Sequence, residues 1–263
     1  MDYRKPFPKI IAHQGLPVNG LKNTIAAFLA AVAAKTDMIE MDIHETRDGH
    51  FIIYHDNCFN PDAPPWGNLT YTQVLDLTGR DDRVPKLSDS LDAIGPVPVD
   101  LEIKSCQSAL NFARELSVCP PAAGSIISSS NYNLLKQLHA TGLQLPLYLI
   151  VSLLHRETRW QNFRNVALGL TAHLLPKFLS GVAVHHRLAH KATVAALQRK
   201  GTAVLVWTVD HTEQMQKFIS LGVDGIITND LHRLQALATR YEPPNPSVCQ
   251  CFEKQRKDSN RYL

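Results

Sequence analysis

The sequence predicts an α/β chain folded as a TIM (β/α)8 barrel with a β-hairpin extension after the second strand, and three observations predict it. From Lys9 onward, short β-rich segments alternate with longer amphipathic ones, the pattern of βα units around a parallel sheet. Eight such segments occur, at 9–13, 38–43, 98–103, 125–129, 146–151, 181–185, 203–208 and 224–228. A chain of 263 residues is the size that eight βα units need. The structural competitor is a doubly wound open sheet.

The first strand is followed by a helical pattern over Thr24 to Ala34. After the second strand the alternation breaks, because only Glu45 to His50 separates it from the β-rich run Phe51 to His55. No crossover helix fits there, and Asp48-Gly49 is a strong hairpin turn signal, so 51–55 is expected as an antiparallel extension and not as a ninth barrel strand. Folding back about that turn brings His55 roughly opposite Glu40 and Asp42. Residues 57–86, with Pro61, Pro64, Pro65 and Gly67, read as a loop with a short helix, a lid over the strand ends.

Further helical patterns cover Ser108 to Ser117, Tyr132 to Thr141, Lys191 to Lys200 and Glu213 to Leu221, several closed by a glycine (Gly142, Gly201, Gly222) where a C-terminal cap belongs. The barrel domain is read as 1–241. The tail 242–263 begins Glu242-Pro243-Pro244-Asn245-Pro246, ends in mixed charge and is expected to be poorly ordered.

Composition is that of a globular protein, 44% hydrophobic and 19% charged. The formal charge of +3 comes from 27 basic and 24 acidic residues spread along the chain, so no basic stripe points to nucleic acid. No run approaches the length of a membrane span, and Met1 to Lys9 lacks the apolar segment of a signal peptide, so no stable membrane insertion is expected. Five cysteines without the spacing of a disulfide-dense module fit a reducing, cytoplasmic setting. Cys249-Gln250-Cys251 in the tail reads as a pair of idle thiols.

Strands covered on both faces should be near-continuous apolar runs, so charged residues inside them need a reason. Two strands break the rule in the same way. The period of two puts Glu40 and Asp42 on one face of Ile39-Glu40-Met41-Asp42-Ile43, and Asp100, Glu102 and Lys104 on one face of Val99 to Lys104. Taken alone, either strand could be an edge strand with a solvated charged face. Together, Glu40, Asp42 and Glu102 near the C-terminal strand ends form a hard, all-oxygen site that suits Mg²⁺ or Ca²⁺ better than zinc. Lys104, just beyond, is placed to neutralise an anionic substrate group. Asp100 reads as a charge where its strand begins, at the bottom of the barrel.

Two of the 12 histidines stand at matching positions, His13 at the end of the first strand and His55 at the end of the hairpin. An unperturbed imidazole titrates near ~6.5, so a pair can accept and donate protons at neutral pH. His139, His155, His173, His185, His186, His190, His211 and His232 read as solvated or core histidines. Ser128-Ser129-Ser130 reads as strand-end serines, with Ser130 or Asn131 as a helix cap.

The ordered set Ala12-His13-Gln14-Gly15, Asn23-Thr24-Ile25-Ala26-Ala27-Phe28, Glu40-Met41-Asp42, Thr46-Arg47-Asp48-Gly49, Tyr54-His55-Asp56, Leu101-Glu102-Ile103-Lys104, Val206-Trp207-Thr208-Val209 and Gly222 to Thr228 resembles the glycerophosphodiester phosphodiesterase family. The match runs from about Ile10 to Asp230. The resemblance implies a TIM barrel, a bound Mg²⁺ or Ca²⁺, and metal-dependent hydrolysis of a glycerophosphodiester to glycerol 3-phosphate and an alcohol. It puts Glu40, Asp42 and Glu102 on metal-ligand positions, His13 and His55 on acid and base positions, Lys104 on a phosphate-contacting position and Trp207 on an aromatic pocket wall. A core tryptophan at a strand end is the other reading of Trp207.

Two positions depart from the family's usual pattern: Gln14 stands where an arginine is usual, and Lys22 where a glutamate is usual. Glutamine offers neutral hydrogen bonds in place of a charged bidentate clamp on phosphate. The joint change alters the local charge from zero to +1, so Lys22 is expected to supply part of the missing cation at a substrate site that includes Gln14. Alternatives to the main reading are a related lipid phosphodiesterase of the phospholipase C or D type, and a member that binds a phosphodiester with weakened catalysis.

Overall fold

The computed structural model describes residues 6–79, 83–152, 165–167, 171 and 174–241. Its strands are β1 (Lys9–Ala12), β2 (Met38–Glu45), β3 (Phe51–Ile53), β4 (Val99–Ser105), β5 (Ile126–Ser129), β6 (Leu147–Val151), β7 (Gly181–His185), β8 (Ala203–Trp207) and β9 (Gly225–Thr228). Its described helices are α1 (Ile25–Ala33), α2 (Tyr71–Thr78), α3 (Leu87–Ile94), α4 (Ala109–Val118), α5 (Tyr132–Ala140), α6 (Lys191–Arg199), α7 (Thr212–Leu221) and α8 (Leu231–Ala238). β1 pairs in parallel with both β2 and β9, so the eight parallel strands close on themselves in the order β1-β2-β4-β5-β6-β7-β8-β9. The sheet is a closed barrel and not the open competitor.

Alternation builds the interior. Ile11, Met38, Ile126, Ile150, Ala183, Leu205 and Ile227, one from each of seven barrel strands, form a buried cluster separate from the core under the helices. The eighth strand, β4, sets Asp100 in register beside Glu40 and Ile126, and Asp100 is buried in this interior. That corrects its reading as a charge at the barrel bottom: parity fixes the face, whereas depth depends on the register of the neighbouring strands. Tyr148 also points inward, and a side chain at Gly181 would put a Cβ 2.2 Å from its ring, so glycine there is a packing requirement.

The opposite strand faces pack under the helices, with Phe28, Phe112, Leu134, Val194, Phe218 and Leu234 in one continuous core. Each such side chain contributes about 1.5–3 kcal/mol relative to exposure. Thr24, Ser108, Asn131 and Asp230 cap α1, α4, α5 and α8 by accepting from backbone N–H groups, which settles the cap of α5 on Asn131.

β3 pairs antiparallel with β2, with Ile43 opposite Ile53 and Glu45 opposite Phe51. Gly49, at φ +82°, sits in the turn, where Thr46 Oγ1 donates to Asp48 Oδ1 at 2.7 Å. The segment after the hairpin holds a 3₁₀ turn, Trp66–Asn68, and α2, and it folds onto the hairpin's flank: Trp66, Val74 and Val84 bury Ile52 in a satellite core. Trp66 Nε1 donates to Asp56 O at 2.8 Å, tying this segment to the stretch that carries His55. The tail 242–263, including Cys249 and Cys251, and His155 and His173 lie outside the described residues.

Candidate active site

β2 and β4 lie side by side in parallel, with Asp42 in register with Glu102, and their inward residues form one wall of the barrel mouth. Glu40, Asp42 and Glu102 each offer a carboxylate oxygen within 4.8 Å of the others. Lys104 Nζ donates to Asp42 Oδ1 at 2.9 Å and also to Glu102 Oε1. The second Asp42 oxygen accepts from Gln14 Nε2 at 2.5 Å and Asn23 Nδ2 at 2.7 Å. Burial opposes charge on Asp42, but Lys104, then His55 and the Asn23 amide, hold its carboxyl below the usual range.

Glu40 is in the opposite condition. Burial, then the Asp42 and Glu102 carboxylates, raise its pKa well above the usual value. Its Oε2 accepts from the Gln14 backbone N–H at 2.9 Å, while its buried Oε1 has no hydrogen-bond partner. Lys104 stays protonated far above its ordinary range, since the attraction of Asp42, Glu102 and Glu40 outweighs its own burial. Asp100, held by Ser128 Oγ at 2.7 Å, is pushed up to about 7 by burial, against that hydrogen bond and with help from Glu102 and Asp42. Three carboxylates face one ammonium, and one of their oxygens is orphaned. An oxygen-rich site of this charge fits a divalent cation of the Mg²⁺ or Ca²⁺ kind, held by Glu40, Asp42 and Glu102.

The turn after β1 serves the same wall. Gln14 adopts φ +59° and Gly15 φ +80°, and a Cβ on Gly15 would stand 2.8 Å from the Ala27 backbone. This left-handed corner aims the Gln14 N–H at Glu40 and its amide at Asp42. Gln14, expected at the phosphate, therefore gives its side-chain donor to a carboxylate of the trio.

His13 and His55 both line a solvent-open pocket, together with Glu40, Asp100, Glu102, Lys104, Ser128 and Trp207. Their surroundings differ. His13 is 22% exposed, its Nε2 lies 3.9 Å from Glu40 Oε2, and burial lowers its pKa, only partly offset by its hydrogen bond to Asn229. His55 is 60% exposed, and its Nδ1 pairs with Asp56 Oδ1 at 2.9 Å. Trp207 is half-buried, donates from Nε1 to Ala183 O at 3.0 Å, packs against the interior cluster and lines the pocket. Lys22 is not among the residues that line this pocket; its Nζ donates to Asn229 Oδ1 at 2.6 Å.

Sequence reasoning missed three contributors. Asn23, noted only within a motif, holds Asp42 from both its amide ends. Asn229, after β9, bonds His13, and Asp210, after β8, holds Asn229. Their signal was available, since polar residues just past the C-terminal ends of barrel strands sit at the catalytic face.

A closed parallel barrel whose carboxylates, lysine and paired histidines converge at the C-terminal mouth defines a barrel enzyme that acts on an anionic substrate. The chain belongs to the glycerophosphoryl diester phosphodiesterase family, whose model matches residues 13–233, and is a phosphoric diester hydrolase of that family. It is 28% identical over 242 residues to a glycerophosphodiester phosphodiesterase of Caldanaerobacter subterraneus, spanning 84% of this chain and 93% of that one. It is 26% identical to human lysophospholipase D GDPD1, over 84% of this chain and 83% of that one. Two solved structures share the fold. A Parabacteroides distasonis glycerophosphodiester phosphodiesterase matches at TM-score 0.74 and 22% identity, covering 90% of this chain and 98% of that one. An Oleispira antarctica phosphodiesterase, solved with its product sn-glycerol-3-phosphate, matches at 0.71 and 18%, covering 89% and 98%.

Proposed function

We propose that this chain hydrolyses glycerophosphodiesters to glycerol 3-phosphate and an alcohol, with Glu40, Asp42 and Glu102 holding Mg²⁺ or Ca²⁺. The observation that carries the reading is that Glu40 and Glu102, grouped with Asp42 within 4.8 Å, line one pocket with both His13 and His55, in a chain of this family. When bound, the cation supplies a Lewis acid for a phosphoryl oxygen. Lys104 keeps a positive charge in the pocket for the phosphate and, with Asn23, keeps Asp42 deprotonated, while the Gln14 amide aims it. One histidine takes a proton from the attacking hydroxyl or water as the other gives one to the leaving alkoxide. Trp207 forms the wall against which the organic part of the substrate lies.

Release of glycerol 3-phosphate from glycerophosphocholine and glycerophosphoethanolamine is the test, using chelator-treated protein with Mg²⁺, Ca²⁺ or neither, beside His13→Ala. Cation-dependent release abolished by the substitution is expected; no release with either cation from folded protein rules the reading out. A lysophospholipid is the second reading, supported by the human relative named a lysophospholipase D. Faster turnover of lysophosphatidylcholine than of glycerophosphocholine would favour it. Among the described residues no helix is long and apolar enough to cross a membrane. Cys58, Cys106 and Cys119 are free thiols, which supports a cytoplasmic setting.

A further inference from the structure

His13 leaves β1 where the barrel closes against β9, and its Nδ1 lies 2.9 Å from Asn229 Oδ1. On its own this contact is ambiguous, because an amide can be turned over to exchange its oxygen and nitrogen. Two neighbours remove the ambiguity. Lys22 Nζ lies 2.6 Å from the same Oδ1, and an ammonium only donates. At the other end, Asn229 Nδ2 lies 2.8 Å from Asp210 Oδ2, and a carboxylate only accepts. A turned amide would set N–H against the ammonium and a carbonyl against the carboxylate, losing both bonds. Asp210 is itself fixed, since its Oδ1 accepts from the Asn229 backbone N–H at 2.8 Å and from Thr228 Oγ1 at 3.1 Å.

With Oδ1 facing His13, the imidazole Nδ1 must carry a hydrogen. A neutral imidazole has one N–H, so Nε2, which lies toward Glu40, is left with its lone pair. We propose that Asn229, oriented by Lys22 and Asp210, is a positioning residue that locks His13 as the Nδ1–H tautomer and so makes Nε2 its proton-accepting atom. The proposal rests on the reading of His13 as a proton-transfer group. It also gives Lys22 a role of its own: a carboxylate at that position could not donate to the Asn229 oxygen, whereas the ammonium fixes it.

Imidazole ¹⁵N spectra of the full chain with Mg²⁺ present, assigned with His13→Ala and taken at about pH 8, above the usual imidazole range, read the tautomer directly. The expected result is His13 with a protonated Nδ1 and a bare Nε2. Asn229→Leu, which keeps the size and removes both hydrogen-bonding ends, should lose that preference, while Asn229→Asp, which keeps an acceptor, should retain it. In parallel, kcat on glycerophosphocholine should fall about 10²-fold in Asn229→Leu with KM nearly unchanged, and should be partly restored in Asn229→Asp. A wild-type His13 protonated on Nε2 overturns the proposal, as does an Asn229→Leu chain that keeps the Nδ1–H form. If Asn229→Leu does not fold, the wild-type spectrum decides alone. Because the tautomer is read without turnover, a failure of the hydrolytic reading shows separately, as absent glycerol 3-phosphate.

Discussion

The two walls of the barrel mouth are held by different forces. The wall on β2 and β4 is a wall of charge: Asp42 and Glu102 are drawn to Lys104, while Glu40 is driven toward protonation by its burial and then by its carboxylate neighbours. The corner where β1 meets β9 is a corner of directed hydrogen bonds, running from Asp210 through Asn229 to His13. Charge fixes how many protons and cations the first wall holds, and changes with whatever cation is supplied. Hydrogen bonds fix which atom of His13 faces the pocket. A hydrolytic site needs both, because transition-state charge and proton transfer make separate demands.

The largest expected effect falls on the charged wall. Asp42→Asn removes the carboxylate that anchors Lys104 and should lower kcat/KM by on the order of 10³-fold or more. It should also abolish the rise in thermal midpoint expected when Mg²⁺ or Ca²⁺ is added to the wild type. An undiminished thermal shift would mean that the cation binds elsewhere.

The histidines separate the two regions next. His13→Ala should cost somewhat less, about 10³-fold within the roughly 10²–10⁴ span for a general acid or base, and His55→Ala about 10²-fold. The reason is that His13 is held by a built network, whereas His55 is exposed and water can stand in for it. Equal losses would erase the distinction.

Asp100 tests the charged wall through stability. Its pKa is raised from 3.8 to about 7, so its proton stabilises the fold fully below 3.8, and that contribution is lost as pH rises through about 7. The thermal midpoint of chelator-treated protein should therefore decline over that interval, and Asp100→Asn should flatten the decline. An unchanged slope would place the titration elsewhere.

The smallest effect belongs to Lys22. Lys22→Ala should lower kcat by a factor of roughly 3–10 with KM little changed, since Asp210 still holds the other end of the Asn229 amide. A raised KM with kcat intact would instead make Lys22 a phosphate contact.

Much of the charged wall was legible in the chain because its logic is local. The period of two places Glu40 with Asp42, and Asp100 with Glu102 and Lys104, whatever the rest of the molecule does. The same logic found the barrel strands and the hairpin about Asp48-Gly49, where turn chemistry acts within a few residues. Gln14 was harder: the family resemblance, with arginine usual at that position, suggested phosphate, but its left-handed backbone turns it to Asp42. No local pattern shows a single residue entering that conformation.

By itself, then, the sequence determined the barrel, the inward faces of its strands and the identity of the carboxylate trio, because side-chain alternation and apolar patterning are properties of consecutive residues. Only the tertiary structure decided the depth of Asp100, the turn of Gln14 toward Asp42, and the joining of Lys22 and Asp210 to His13 through Asn229. Those depend on strand register and on closure of β1 against β9, which brings together atoms 216 residues apart in the chain. A pairing at that distance is set by the ring of strands closing as a whole, and no stretch of the sequence carries it alone.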